Sequence, residues 1–223
     1  MAKKRGIFIT FEGLDGCGKS TQLERLAAVL RSEGMEVLTT REPGGTAIGE
    51  RIRSILLDSS TAGLSPRAEM ALMFASRAQL LEELIRPTLE RGVWVLCDRF
   101  TDSSEAYQGG GRGLGSGAVL DMHRVLCRNF WPDLTVLMDS EVDASVARAR
   151  RRNMKKPGET NENRFEQENR LFFERVQKAY RALAKRETQR VLMLDARRPA
   201  DVVHPEIVAA VRERFLASHA KKK

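Results

Sequence analysis

Apolar residues in this chain fall into two alternating patterns. Short runs rich in β-branched and aromatic residues are continuous, as strands buried on both faces require. They are Ile7-Phe8-Ile9-Thr10-Phe11, Met35 to Thr40, Val93-Trp94-Val95-Leu96-Cys97, Leu134-Thr135-Val136-Leu137-Met138 and Val191-Leu192-Met193-Leu194. Between them the spacing becomes helical: Leu23, Leu26, Ala27 and Leu30, then Ile48, Ile52, Ile55 and Leu56. Ser65-Pro66 supply the N-cap and first position of a helix predicted to run to about Glu90, with a bend near Pro87. Further helices are predicted over Gly117–Leu126, from Asp143 to about Arg152, and from Phe165 through Leu171, Phe172, Val176, Tyr180 and Leu183. A last one carries Ile207, Val208, Val211 and Phe215. The run Gly109-Gly110-Gly111-Arg112-Gly113 reads as a loop approaching a ligand or another helix. Strand–helix alternation without linker or internal repeat predicts one α/β domain over residues 1–223, a parallel sheet with helices on both faces.

After the first strand stands Gly13-Leu14-Asp15-Gly16-Cys17-Gly18-Lys19-Ser20, which fills every fixed position of G-x-x-x-x-G-K-[ST]. Glycines let successive backbone N–H groups point inward at a polyphosphate, and the following helix adds the positive end of its dipole. Lys19 is expected to reach the β- and γ-phosphates of ATP, and the Ser20 hydroxyl to ligate Mg²⁺. The loop residues Gly13, Asp15, Gly16, Cys17, Gly18, Lys19 and Ser20, with Thr21, are therefore assigned to the ATP site. Asp15 is a carboxylate beside an anion site. Either it turns away to cap a neighbouring turn, or it faces a second substrate and accepts from a hydroxyl. The third strand ends in Asp98-Arg99, where open parallel sheets place their ligands. Asp98 is expected to hold the Mg²⁺ shell with Ser20.

Composition narrows the setting. Cys17, Cys97 and Cys127 are odd in number, scattered and without metal-ligand spacing, which suggests a reducing compartment. No apolar run approaches the length of a membrane span, so a cytoplasmic protein is expected. A net charge of +8 suits either nucleic acid or small phosphorylated ligands. Arg150, Arg151, Arg152, Lys155 and Lys156 precede Pro157-Gly158 and a polar stretch to Asn163. With an ATP-sized anion nearby, this segment, about 150–165, reads as a lid over polyphosphate. No Asn-Lys-x-Asp element follows a late strand, which removes a guanine-specific GTPase.

A set of motifs then resembles the bacterial thymidylate kinases, P-loop nucleoside monophosphate kinases, over nearly the whole chain. It comprises Phe11-Glu12-Gly13-Leu14-Asp15-Gly16, Thr40-Arg41-Glu42-Pro43-Gly44-Gly45-Thr46, Leu72-Met73-Phe74-Ala75-Ser76-Arg77, Asp98-Arg99 with Ser103, and Ala106-Tyr107-Gln108-Gly109-Gly110-Gly111-Arg112-Gly113. The resemblance implies a P-loop NTPase-type five-stranded parallel sheet with an Arg-rich lid. It also implies a homodimer and transfer of the ATP γ-phosphoryl group to dTMP, with no nucleic-acid or membrane partner. Under it, Phe74 stacks on thymine, Arg77 donates to thymine O4, and Gln108 and Ser104 complete the reading of the base. Tyr107 lies under the sugar, Asp15 accepts from the 3′-hydroxyl, and Arg53 and Arg99 hold the acceptor phosphate with help from Arg41. Pro43 and Ser103 belong to the same dTMP site. Ala196 lies beside adenine, with Arg148 stacked on its other face.

The same resemblance assigns catalysis to Lys19, Asp98 and Arg99 and to a lid arginine: Arg150, Arg151, Arg152 or Arg164. Gly16 stands where the family's eukaryotic type places an arginine. The lid is longer than in familiar bacterial relatives, and Asn163 replaces a common Asp. A kinase for another monophosphate and a basic nucleic-acid ATPase stay open as rivals.

Overall fold

The computed structural model describes residues 5–61, 63–154 and 164–216, with residues 152–154 described by backbone alone. Five strands, β1 (Phe8–Gly13), β2 (Val37–Arg41), β3 (Trp94–Asp98), β4 (Leu134–Asp139) and β5 (Val191–Asp195), pair in the order β2-β3-β1-β4-β5. Every pairing is parallel. Between them run α1 (Lys19–Ser32), α2 (Ala47–Leu57), α3 (Pro66–Leu80), α4 (Arg86–Glu90), α5 (Thr101–Ser104), α6 (Ser116–Leu126), α7 (Val142–Met154), α8 (Arg170–Arg186) and α9 (Ala200–Val211).

The central strands β1, β3 and β4 are buried on both faces because alternate side chains feed different cores, whereas the edge strands β2 and β5 are partly exposed. Ile9 and Phe11 pack with Leu23, Leu26 and Leu30 of α1 and with Ile207 and Val211 of α9. Phe8 turns the other way, against Phe74, Leu80, Val95 and Phe100. A third cluster joins Tyr107, Leu137, Phe172, Val176 and Tyr180. Thr10 and Glu12 share the face of Phe8, so the last strand residue before the phosphate loop buries a carboxylate.

Three predicted elements differ from what forms. The helix from Ser65, whose side chain caps Ala68 N, departs from α geometry at Leu81–Ile85, a π turn placed ahead of Pro87. The helix expected from Phe165 begins at Arg170, because Asn169 provides the N-cap, its Oδ1 accepting from Phe172 N. The glycine run is a loop only at its end: α5 continues as a π segment over Glu105–Gly111. Packing explains the glycines, since a Cβ on Gly110 would lie 2.6 Å from Ala179 Cβ, and one on Gly111 2.6 Å from the Phe172 ring. The expected approach to another helix is therefore found, and that helix is α8.

Candidate active site

The phosphate loop leaves the carboxyl end of β1 in the middle of the sheet and enters α1 directly. Gly18 precedes α1 with φ +99°, a conformation that strongly favours glycine. Gly16 has φ +80°, and a Cβ there would meet the Ser145 carbonyl at 2.4 Å. A side chain at this position would therefore be strained unless the neighbouring backbone shifted. Lys19 is buried and its Nζ donates to the carbonyls of Gly13 at 3.2 Å and Leu14 at 2.9 Å. Ser20 Oγ donates to Asp98 Oδ2 at 2.6 Å, which joins the ends of the loop and of β3. A hydroxyl and a single carboxylate suit Mg²⁺, which binds few protein oxygens and completes its shell with phosphate and water. Among the described residues no cluster of three or more His, Cys, Asp or Glu competes for that role. Cys17 is buried, its thiol pushed up by desolvation, and Thr21 is exposed on the first turn of α1.

Arg99 is the hinge of the arrangement. Its φ of +76° is uncommon for a residue with a side chain, and its N–H is held by the Phe11 carbonyl at 2.9 Å. Nη2 reaches Asp15 Oδ1 at 2.7 Å, and Nη1 reaches Ser103 Oγ at 2.9 Å. The guanidinium lies 5.0 Å from the centre of the Tyr107 ring. Burial opposes its charge, but Asp15 and the neighbouring phenols outweigh burial, so Arg99 stays a cation.

Beneath Arg99 sits a group that sequence reasoning passed over. Glu12 accepts from Phe100 N at 2.7 Å, Ser103 Oγ at 2.5 Å and Tyr180 Oη at 2.9 Å. Burial, reinforced by the Asp102 carboxylate, pushes Glu12 up to about 7 against the pull of Arg99 and its hydroxyl donors. The signal available was an acid ending an apolar strand, one residue ahead of the loop. Ser103, expected against dTMP, is occupied by Glu12, Arg99 and Tyr180.

A second half of the site lies along α3 and the segment after β3. Arg77 is 2% exposed, with Nε on Glu42 Oε2 at 2.7 Å and Nη2 shared by the Phe100 carbonyl and Ser104 Oγ. Its guanidinium stands 4.6 Å from the Phe74 ring centre. Phe74 itself is fully buried in the core. Arg77 Nη1 and Glu42 Oε1 have no hydrogen-bond partner, and burial raises Glu42 to about 7 although Arg77 pulls it down. A buried polar atom left unpaired costs roughly 1–3 kcal/mol, so Nη1 marks a point where a ligand acceptor is favoured. Tyr107 and Gln108 complete this wall, and Gln108 Nε2 donates to Glu69 Oε1 at 2.8 Å.

The remaining expected residues divide. Arg53 donates to the carbonyl of the buried Pro43 at 3.0 Å, and Arg41 pairs with Glu50 at 3.1 Å on the surface. Arg148, expected to stack on adenine, sets Nε on the Gly16 carbonyl at 2.7 Å, which ties it to the phosphate loop. Ala196 N donates to Asp139 O, which ties the end of β5 to β4. Arg150 is exposed and donates to the carbonyls of Glu166 and Glu168, while Arg151 is exposed on α7. The Arg152 side chain, Lys155, Lys156 and Asn163 lie outside the described residues, as does most of the expected lid. Arg164, another lid candidate, is buried and paired with Glu69 at 2.8 Å.

Known proteins resemble this chain over most of its length. A thymidylate kinase of Alkalilimnicola ehrlichii is 48% identical over 199 residues, covering 89% of each chain. One of Methylococcus capsulatus is 44% identical over 214 residues, covering 96% of this chain and 98% of that one. The crystal structure of thymidylate kinase from Ehrlichia chaffeensis is similar at a TM-score of 0.73 with 30% identity, covering 93% of this chain and 99% of that one. The thymidylate kinase family model matches residues 11–207, and the chain belongs to that family.

Proposed function

We propose that the chain transfers the γ-phosphoryl group of ATP, with Mg²⁺, to dTMP, giving dTDP and ADP, and that it does so as a homodimer. One observation carries the reading. Arg99 spans from Asp15 of the phosphate loop to Ser103 of the helix leading to Tyr107 and Gln108, so a single cation faces both halves of the site. The acceptor is already an oxyanion at neutral pH, so no general base is required. Catalysis rests on placing two phosphates in line and neutralising charge on the transferred group. Lys19 and the loop N–H groups hold the donor; Arg99 and Arg53 hold the acceptor. Mg²⁺, held by Ser20 with Asp98, supplies further positive charge at the donor phosphates. Asp15 accepts from the 3′-hydroxyl, Tyr107 lies under the sugar, and Arg77 Nη1 donates to thymine O4 beside Phe74. Arg150, Arg151 or Arg152 completes the charge from the lid. No helix among the described residues is long and apolar enough to cross a membrane.

The two halves separate experimentally. Lys19→Ala should lower kcat by about 10² or more, the scale for losing one stabilising donor, and leave dTMP affinity by titration calorimetry close to the parent's. Arg77→Ala should mainly weaken dTMP binding and raise its KM. Loss of ATP binding alone in both variants would contradict this division of roles.

A further inference from the structure

Glu69 has no place in the reaction as written, yet it is fully buried on α3. Three side chains converge on its carboxylate. Gln108 Nε2 lies 2.8 Å from Oε1, Arg112 Nε 3.1 Å from Oε2, and Arg164 Nη1 2.8 Å from Oε2. Glu168 pairs with the other end of Arg112, so the buried charges balance. A carboxylate accepts and does not donate, so the end of the Gln108 amide that faces Glu69 must be the NH₂ group. The carbonyl oxygen is left over, and it has no partner among the described residues.

Ser104, four residues before Gln108 in the same helical stretch, receives Arg77 Nη2, whose sister Nη1 is the unpaired donor. Residues four apart on a helix are roughly 5–6 Å neighbours. The wall thus presents a donor from Arg77 beside an acceptor from Gln108. The edge of thymine offers the complement, O4 as acceptor beside N3–H as donor. Cytosine offers the reverse, an N4 amino group beside an acceptor N3.

We propose that Glu69 is a positioning residue for base selection, fixing the Gln108 amide so that its oxygen, not its nitrogen, meets the base. The proposal rests on the dTMP reading above. With Glu69→Gln, the new amide can donate to Gln108 Oε1, the Gln108 group is free to turn, and a donor faces the base. That arrangement no longer penalises cytosine at N3, while the Arg77 donor still opposes its N4 amino group.

The test is the ratio of kcat/KM for dTMP to that for dCMP, measured with Mg-ATP on one preparation of each protein. Inactive or unfolded protein cancels from such a ratio. In Glu69→Gln it should fall about tenfold or more, the scale of a lost hydrogen-bonded discriminator. On a Gln108→Met background, adding Glu69→Gln should change the ratio by less than about twofold, because the two residues act as a unit. Should Glu69→Gln not fold, Glu69→Asp keeps the negative charge that Arg112 and Arg164 need but draws the carboxylate back by one methylene, which loosens its hold on Gln108 and should lower the ratio in the same direction. An unchanged ratio in the Glu69 variants, or an equal loss without Gln108, would overturn the proposal. A parent that does not prefer dTMP over dCMP would overturn the dTMP reading beneath it, before any variant is made.

Discussion

Glu12 occupies a strand position whose neighbours are all apolar or small, and its burial makes folding sensitive to its proton. Its folded pKa is about 7, against an ordinary 4.5. Between those values the folded protein holds a proton that the unfolded chain releases, so stability falls as pH rises through 7 and is fully present below 4.5. The contribution is on the order of 3 kcal/mol, and Glu42 acts in the same direction. Glu12→Gln keeps an acceptor for Phe100 N and removes this titration. Its Tm should therefore fall less than the parent's between pH 5 and pH 8.5, as followed by thermal unfolding; an unchanged slope would place the titration elsewhere. At this scale the sequence was informative where a motif states its own chemistry, as with Lys19, Ser20 and Asp98. It was silent on Glu12, Glu42 and Glu69, because a buried acid declares itself only through partners brought from distant elements. Arg164 shows the converse: the sequence ranked it only among the lid arginines, and its pairing with Glu69 became visible in the tertiary structure alone.

Among the elements, the contact between α8 and the helical stretch from Thr101 to Gly111 decides where Tyr107 and Gln108 stand. Gly110 and Gly111 let it close, and the Gly111 carbonyl accepts from Arg175 Nε at 3.1 Å and Nη2 at 2.8 Å. Gly111→Ala would gain about 1 kcal/mol of helix propensity. It would also force a Cβ to within 2.8 Å of Val176 and 2.6 Å of Phe172, an overpacking worth about 1–3 kcal/mol. The net expectation is a lower midpoint in urea together with a raised KM for dTMP, since the same shift moves Tyr107. Neutral or improved stability would mean that this contact tolerates separation. A glycine run carries the same letters whether it turns a loop or admits a neighbouring helix, so sequence named the need for close approach but not the helical backbone that meets it. The strands, by contrast, were legible throughout, because continuous apolar runs leave few alternatives for a parallel sheet.

For the whole molecule, several arginines are neutralised in pairs and add nothing to the net charge of +8. Arg77, Arg99, Arg112, Arg186 and Arg190 are bound to Glu42, Asp15, Glu69, Glu105 and Asp102 respectively. These five arginines are taken up by carboxylates, and all but Arg186 are largely buried, so they offer little charge to a nucleic-acid backbone. The α/β class and the dTMP assignment were reachable from motifs, whereas the strand order, with β1 central, needed the pairing itself. The most direct measurement is an ADP-coupled assay with Mg-ATP and a panel of dTMP, dUMP, dCMP, UMP, AMP and GMP. The account predicts strong turnover with dTMP, weaker turnover with dUMP and little with the others, and no stimulation by DNA. Acceptor-independent ATP hydrolysis that rises on adding DNA would contradict it.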